Sequence, residues 1–341
     1  MRTTSLAAKF LGLLIASLAI LSGRAVAAED PWVVYEGQAG PGQGKHIVLV
    51  SGDEEYRSEE MLPALGKILA KQHGFKCTVL FAINPQDGTI DPNNQQNIPG
   101  LEALDHADLM VLFLRFRELP DEQMKHIVDF VNSGKPVLGI RTATHAFSYS
   151  RSKTSPYAKW SFNSQQWPGG FGQQVLGETW VNHHGHHGVE SSRGIVNPAF
   201  KDSPVLRGVE DIWGPTDVYT VTHLIPEAQV LVHGQVLEGM RPTDKPVVGK
   251  KNEPMLPLAW LKSYTGSAGK TSRIFCTTMG CGVDFESAGF RRLLVNGCYW
   301  GLGLESQIPA QNNVDLVGPY KPTPMGGSKY TKGVKPVDLK L

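Results

Sequence analysis

Short apolar runs alternate with helix-like segments along the first half of this 341-residue chain. The run His46-Ile-Val-Leu-Val50 has no polar alternation, which is typical of a strand buried on both faces. Between such runs, the segments from Ser58 to Gly74 and from Pro120 to Gly134 place apolar residues at helical spacing, and Ser58 is predicted to cap the first helix. This alternation predicts βαβ units, and therefore an α/β three-layer sandwich whose central sheet is mostly parallel. The other predicted strands are 75–81, 107–114, 136–140, 228–232, 256–261 and 273–278, and the last predicted helix is 286–300.

The first residues carry the pattern of a signal peptide. Arg2 and Lys9 flank the start, residues 10–21 are mostly apolar, and Ala25-Val-Ala27 matches the small-x-small pattern that signal peptidase cleaves. We therefore expect a signal peptide over residues 1–27, an exported protein that is periplasmic or secreted, and no stable membrane span after cleavage. A retained N-terminal anchor is the alternative.

The rest of the chain is predicted to form one domain over residues 45–304, followed by an extended, Pro- and Gly-rich tail over residues 305–341. In the full chain, 33 Lys and Arg residues balance 32 Asp and Glu residues, and this balance argues against a nucleic-acid partner, which requires a basic surface. The four cysteines could form disulfides after export or remain buried free thiols, and the sequence leaves both open. They are Cys77, Cys276, Cys281 and Cys298.

The loops that follow the predicted strands are candidate binding loops. In an open parallel sheet, ligands bind beyond the carboxyl ends of the strands, so these loops meet at one edge. Charged residues are dense there, where Gly, Asn and Pro are the usual turn residues. The alternative is that these charges are merely solvated, as in most loops. The candidate residues are Glu55, Tyr56, Arg57, Arg115, Arg141 and His145.

Four of the chain's 11 histidines fall within residues 183–187. Imidazole binds metals and titrates near neutral pH, so this loop is a candidate for metal binding or for acid–base chemistry. A divalent metal such as zinc, held by His184, His186 and His187, is one hypothesis, with His145 or Asp217 able to complete a site. The alternative is a hydrogen-bonded loop that packs against Trp180, because no spaced zinc signature is present.

Aromatic residues crowd the segment 157–180, which ends with Trp180. Flat rings beside polar groups suit the apolar faces of sugar rings, and the alternative is that they anchor a long loop to the sheet. Farther along, Asp217-Val-Tyr219 places a carboxylate and a phenol at a turn. The carboxylate could act as a base, orient a histidine or be a plain turn residue.

Taken in order, these motifs resemble the ThuA-like (trehalose utilisation) proteins. The resemblance covers about Lys45 to Leu304. It implies the class I glutamine amidotransferase-like fold, a flavodoxin-like α/β sandwich, and an association with sugar metabolism in which oxidised (3-keto) glycosides are processed. It is carried by Gly134-Lys-Pro-Val-Leu-Gly-Ile140 before a polar turn, the His/Gly loop, Asp217-x-Tyr219 and Thr277-Thr-Met-Gly-Cys281.

Arg141 departs from the amidotransferases that share this fold. Those enzymes carry a nucleophilic cysteine in the turn after this strand, so glutamine hydrolysis through a thioester is not expected here. ThuA-like members often have histidine at the positions of Arg141 and Cys281. A ligand set therefore cannot be transferred to this chain, and His145 with His184 to His187 are expected to take over.

The resulting hypothesis is an exported enzyme that acts on a small carbohydrate. Arg141 or Arg115 would bind a sugar oxygen or an oxyanion, and His145, His184 or Glu55 would move the proton. Asp217 completes the catalytic set, a homo-oligomer is an expected assembly, and the remaining candidates would bind substrate. The alternatives are a non-catalytic carbohydrate-binding module and a metal-dependent hydrolase. The substrate-binding candidates are Tyr56, Arg57, Arg115, Trp180, His187 and Tyr219.

Overall fold

The computed structural model describes residues 29–341, so the predicted signal peptide lies outside the described residues. Within the described residues, ten strands form one sheet, and three α-helices pack against it. The helices are α1 (Ser58–His73), α2 (Asp121–Asn132) and α3 (Ala288–Gly301). The strands are β1 (Trp32–Tyr35), β2 (His46–Gly52), β3 (Lys76–Phe81), β4 (Leu109–Leu114), β5 (Val137–Ile140), β6 (Ser192–Val196), β7 (Ile212–Gly214), β8 (Gln229–Val236), β9 (Leu256–Thr265) and β10 (Thr271–Thr277).

The sheet is mixed, with the strand order β1-β3-β2-β4-β5-β10-β9-β8-β6-β7. Strands β3, β2, β4, β5 and β10 run parallel, which accounts for four pairings, whereas the other five pairings are antiparallel. The prediction of a mostly parallel sheet is therefore wrong. The physical reason lies in the connections along the chain. The segment from β5 to β10 contains no α-helix that could serve as a crossover between parallel strands, and a short connection such as residues 266–270 between β9 and β10 can join only antiparallel neighbours.

Two apolar cores cover the two faces of the sheet. Along β2, Ile47 and Leu49 belong to the core beneath α1 and α3, while Val48 and Val50 belong to the core beneath α2. This alternation confirms that β2 is buried on both faces, as its apolar run predicts. All four cysteines are buried in these cores as free thiols. Within residues 29–341, no helix combines the length and the apolar character that crossing a bilayer requires.

The predicted helices and strands are confirmed to within a few residues, but β1, β6 and β7 were not predicted. The predicted cap of α1 is wrong. Ser58 is the first residue of the helix, and its hydroxyl hydrogen-bonds Ser51 Oγ at 2.8 Å and accepts from the amide of Asp53 at 3.0 Å. The hydroxyl thereby ties the start of α1 to the end of β2.

Three residues other than glycine adopt the left-handed backbone conformation just after parallel strands. Arg57 has φ 62° after β2, Phe116 has φ 52° after β4, and Arg141 has φ 44° after β5. Residues with a Cβ atom rarely adopt this backbone conformation because Cβ crowds the backbone. Such strain concentrates at functional sites. All three turns lie at the edge where the carboxyl ends of the parallel strands meet.

Residues 305–341 return across α1 and support the loop before it. The amide of Gly326 donates to the carbonyl of Glu55 at 2.8 Å. The buried guanidinium of Arg57 donates to the carbonyls of Gly326 and Pro324, the latter at 3.2 Å, and Thr323 donates to Glu60 from both its amide and its hydroxyl. The C-terminal segment therefore fixes one of the three strand-end loops.

The substitution Arg57→Met should lower the free energy of unfolding by about 3 kcal/mol. It removes the donor of three partly buried carbonyls and leaves the buried Glu59 without its ion-pair partner. Urea unfolding curves measure the difference. The control Arg241→Met, which removes an exposed surface pair with Asp244, should change stability by no more than about 0.5 kcal/mol. Equal losses in the two variants would contradict the proposed role of Arg57.

Candidate active site

Arg141 lies beneath the centre of the strand-end edge. Its guanidinium carbon is 4.2 Å from the ring centroids of both Tyr56 and Tyr219, so one aromatic ring covers each face. Its Nη2 donates to Asp217 Oδ1 at 3.0 Å, and its Nη1 donates to the carbonyls of Thr278 at 2.8 Å and Asp217 at 3.2 Å. Both members of this ion pair have fully buried side chains.

The turn that carries Arg141 depends on small neighbours. A Cβ atom at Gly139 would lie 2.7 Å from Leu176 Cδ1 and 3.4 Å from the Cβ of Ala143. A larger residue at position 139 would therefore displace Leu176 or open the short 3₁₀ helix of residues 141–145. A small residue on each side lets the chain turn sharply at the end of β5, as in other strained strand-to-helix turns that carry functional side chains.

Asp217 binds two imidazoles on its outer side. His183 Nδ1 lies 2.7 Å from Asp217 Oδ2, and His187 Nδ1 lies 3.0 Å from Asp217 Oδ1. The histidine loop is held there by backbone pairing, because the amides of His184 and Gly185 donate to the carbonyl of Val218 at 2.9 and 3.1 Å. The antiparallel pairing of His183 with Tyr219 sets which imidazoles face Asp217.

Glu55 extends this network toward solvent. Its Oε1 lies 3.2 Å from His187 Nε2, and its Oε2 lies 2.9 Å from Arg115 Nη2. Arg115 also pairs with Glu54, whose second oxygen accepts from the buried Arg117 at 2.8 Å. Cationic and anionic groups therefore alternate from the buried Arg141 to the partly exposed Arg115.

Hydrogen bonding decides the charges in this network. Burial opposes ionisation of Asp217, but hydrogen bonds from His183 and His187 and the charge of Arg141 outweigh it and lower the pKa of Asp217. Burial likewise opposes ionisation of Glu55, yet its bond to His187 and the charge of Arg115 lower its pKa. Bonds to Asp217 and Glu55 raise the pKa of His187 to about 9. At neutral pH both carboxylates are ionised and His187 is a cation.

His183 is placed as a base. An ionised carboxylate can only accept hydrogen bonds, so the Nδ1 of His183 that faces Asp217 must carry a proton. The lone pair of a neutral ring then lies on Nε2, and 29% of the side chain is exposed. A carboxylate that orients an imidazole in this way is the arrangement that general-base histidines use.

His145 lies deeper, in an aromatic enclosure. Its ring centroid is 5.0 Å from that of Phe116 and 5.2 Å from that of Trp180. Burial first, and then the charges of Arg115 and Arg141, keep the pKa of His145 well below its ordinary value. Burial therefore favours the neutral form of this imidazole, which packs against the aromatic rings of the site.

Most of the residues predicted from the sequence come together. The cluster contains Glu55, Tyr56, Arg115, Arg141, His187, Asp217 and Tyr219, and aromatic contacts connect His145 and Trp180 to it.

Three predicted residues lie elsewhere. Arg57 faces the C-terminal segment, His184 Nε2 lies 2.9 Å from the carbonyl of Lys251, and His186 is exposed beside Glu190. The predicted metal set of His184, His186 and His187 is therefore not assembled. The predicted contact of Arg141 with substrate does not fit either, because its guanidinium is buried between two rings.

The sequence did not single out His183 or Glu54. The histidine run was recognised, but which of its members face inward depends on the pairing with Tyr219, for which the sequence carries no signal. Glu54 lies beside Glu55 in the sequence. That it bridges Arg115 and Arg117 could have been predicted only if the loop after β4 had been placed beside it.

His183, His187 and Asp217 are the group that comes nearest to a metal site in residues 29–341, with donor atoms within 4.8 Å of one another. Two imidazoles and one carboxylate match catalytic zinc by donor type. The surrounding charge does not match. The Arg141 guanidinium lies 3.0 Å from Asp217, and His187 donates from both ring nitrogens to carboxylates. A divalent cation would have to displace those protons while facing Arg141, so the residues fit a protonated network better than a resident metal.

The fold and the site define an α/β protein with a cluster of imidazoles and carboxylates at the carboxyl edge of its parallel strands. The ThuA family model, described as trehalose utilisation, matches residues 46–301. The chain belongs to this family, as the order of its motifs predicts.

Two ThuA-like proteins are among the solved structures that are similar to this chain. A ThuA-like protein from Parabacteroides merdae ATCC 43184 is 15% identical, with a TM-score of 0.49, over 76% of this chain and 90% of that chain. A ThuA-like protein from Bacteroides uniformis ATCC 8492 is 13% identical, with a TM-score of 0.46, over 82% of this chain and 98% of that chain. No curated protein sequence matches this chain at a significant level.

The cationic state of His187 predicts how stability depends on pH. Its pKa is raised in the folded protein from 6.5 to about 9, so its stabilising contribution is complete below about pH 6.5 and is lost as the pH rises through about 9. The difference in unfolding free energy between wild type and His187→Asn should therefore shrink between pH 6.5 and pH 9.5. Urea unfolding at several pH values measures it.

The matched control is His106→Asn, which removes an exposed imidazole far from the network. This variant should differ little from wild type at any of these pH values. A wild-type advantage over His187→Asn that stays constant, or grows, with rising pH would show that His187 is not held as a cation.

Proposed function

We propose that this protein is an exported enzyme that acts on carbohydrate and processes oxidised (3-keto) glycosides by proton abstraction. The single observation that carries the proposal is the pairing of His183 with Asp217, which His187 and Glu55 connect to the cationic Arg115 at the edge of the sheet. Family membership supports a connection with sugars. The export component depends on the N-terminal sequence pattern.

The chemistry requires a base and a positive charge. In a 3-keto glycoside, the carbonyl acidifies the proton on the neighbouring carbon C2. His183 Nε2 would take that proton, and the partly exposed guanidinium of Arg115 would stabilise the enolate oxygen, since arginine stays protonated and cannot act as the base. The C1–oxygen bond then breaks, a C1–C2 double bond forms, and the departing oxygen takes the proton from His183, so the elimination balances.

Arg141 acts on this chemistry indirectly, through Asp217. It holds Asp217 ionised and fixes the position of the carboxylate that orients His183. Glu55 fixes the positions of Arg115 and His187 through its two ion pairs. These residues are positioning residues, whereas His183 and Arg115 are the ones placed to touch the substrate.

The order of the parallel strands, β3-β2-β4-β5-β10, supports the further proposal that this half of the molecule has the flavodoxin-like arrangement of the class I glutamine amidotransferases. Their reaction is not part of the proposal, because the turn after β5 presents Arg141 and the four thiols are buried.

The test is turnover of 3-keto glycosides by protein purified without a histidine tag. The variant His183→Ala should lower kcat by about 10³-fold with little change in KM, which is the usual range for a lost general base. The matched control is His223→Ala, which removes a mostly exposed imidazole on another loop. It should keep wild-type kcat.

Each rival function has its own outcome in this experiment. Sugar binding without any product from wild-type protein would favour a non-catalytic carbohydrate-binding module. Activity that disappears with a chelator and returns with a divalent metal would favour the metal-dependent hydrolase. Full activity in His183→Ala would remove the proposed mechanism.

A further inference from the structure

A cavity of about 370 Å³ opens beside the charged cluster. Its lining combines two aromatic rings with amide and hydroxyl groups, and it contains no charged side chain. The amide oxygen of Gln95 accepts from Arg151 at 3.1 Å, which leaves the amide NH₂ as the group available to a ligand. The lining residues are Gln95, Phe116, Ser148, Ser150, Phe162 and Asn163.

A continuous path of rings joins this cavity to the proposed base. The ring centroids of Phe116 and Phe162 are 5.3 Å apart, and Phe162 lies 6.5 Å from Trp180. Trp180 in turn lies 5.9 Å from the ring of His183. Phe116 also contacts the charged cluster directly, because the Arg115 guanidinium carbon is 4.7 Å from its ring centroid. The cavity and the cluster are therefore adjacent parts of one surface.

The aromatic pair is held in place by the backbone. The amide of Phe116 donates to the carbonyl of His145, and the amide of Phe162 donates to the carbonyl of Phe147, each at 3.0 Å. Phe116 keeps its left-handed conformation within this pairing. The main chain that carries the two rings therefore needs little further ordering when a ligand binds, which favours recognition.

The chemistry of the lining selects a class of ligand. Phosphate and carboxylate groups bind where cationic donors converge, and this cavity contains none. Flat rings together with neutral donors and acceptors suit a sugar ring, which has apolar faces and hydroxyl edges. The charged cluster lies on one side, where the reacting sugar would sit, and at another edge the charge of Arg151 is paired with Glu118.

We infer that this cavity is a second sugar subsite, which holds the neutral departing group of the glycoside, so that the substrate is at least the size of a disaccharide. The inference rests on the proposed function, because it assigns the reacting sugar to the cluster around His183. Phe116, Phe162 and Asn163 are binding residues of this subsite.

Binding of unmodified sugars to the full chain tests the inference without requiring turnover. Calorimetric titrations would compare methyl glucoside with the neutral disaccharides trehalose, maltose and cellobiose, and with glucose 1-phosphate. At least one disaccharide should bind about tenfold more tightly than methyl glucoside, and glucose 1-phosphate should bind no more tightly than methyl glucoside. If no disaccharide is preferred, or if glucose 1-phosphate binds most tightly, the inference is overturned.

Substitutions at Phe162 and Asn163 locate the preference. Phe162→Ala should abolish the tenfold advantage of the disaccharide, whereas Phe162→Tyr, which keeps the ring, should retain it. Asn163→Ala should reduce the advantage, and the control Gln166→Ala, an exposed amide outside the lining, should not. An advantage that survives both Phe162→Ala and Asn163→Ala would place the second sugar elsewhere.

The results separate this inference from the proposed function. A disaccharide preference that depends on Phe162, found together with no turnover of 3-keto glycosides, would leave the subsite standing and remove the proposed reaction. Turnover that depends on His183, but without any disaccharide preference, would support the proposed reaction and remove the subsite.

Discussion

The buried ion pair of Arg141 and Asp217 is the interaction on which the site depends. Removing two charges from water is costly, and the cost is offset only when geometry and further hydrogen bonds are favourable. Here two tyrosine rings cover the guanidinium, two backbone carbonyls accept from it, and two imidazoles donate to the carboxylate. The pair thereby joins the turn after β5 to the histidine loop. Losing either partner would leave an uncompensated buried charge, at a cost of about 3–5 kcal/mol.

The strained turns are the second constraint. Arg57, Phe116 and Arg141 each adopt a left-handed backbone conformation that glycine would adopt more readily. The side chain of each makes a contact that glycine could not make. Arg57 holds the C-terminal segment, Phe116 lines the neutral cavity, and Arg141 binds Asp217. Replacing any of them by glycine would relieve backbone strain but remove that contact, so in each turn the contact of the side chain offsets the strain.

The sequence predicted the parallel half of the sheet and the convergence of Glu55, Arg115 and Arg141, because buried apolar runs and the rule for strand-end loops are local signals. In the antiparallel half, β8 and β9 were predicted as strands, but β6 and β7 were not, because runs of five and three residues carry too little pattern to be recognised. The sequence also did not predict that His183, and not His184, faces Asp217. Backbone pairing decides which of two neighbouring side chains turns inward, and this pairing has no signal in the sequence. The burial of Arg141 depends on Tyr56 and Tyr219, which come from distant parts of the chain.

The proposed chemistry requires that Asp217 is ionised and fixes the protons of two imidazoles. Nitrogen-15 NMR of the histidine rings measures this state, because each ring nitrogen reports whether it carries a proton. At pH 8 we expect His187 to be protonated on both nitrogens and His183 to carry its proton on Nδ1, with both signatures lost in Asp217→Asn. A singly protonated His187 at that pH, or a His183 proton on Nε2 alone, would show that Asp217 does not organise the site.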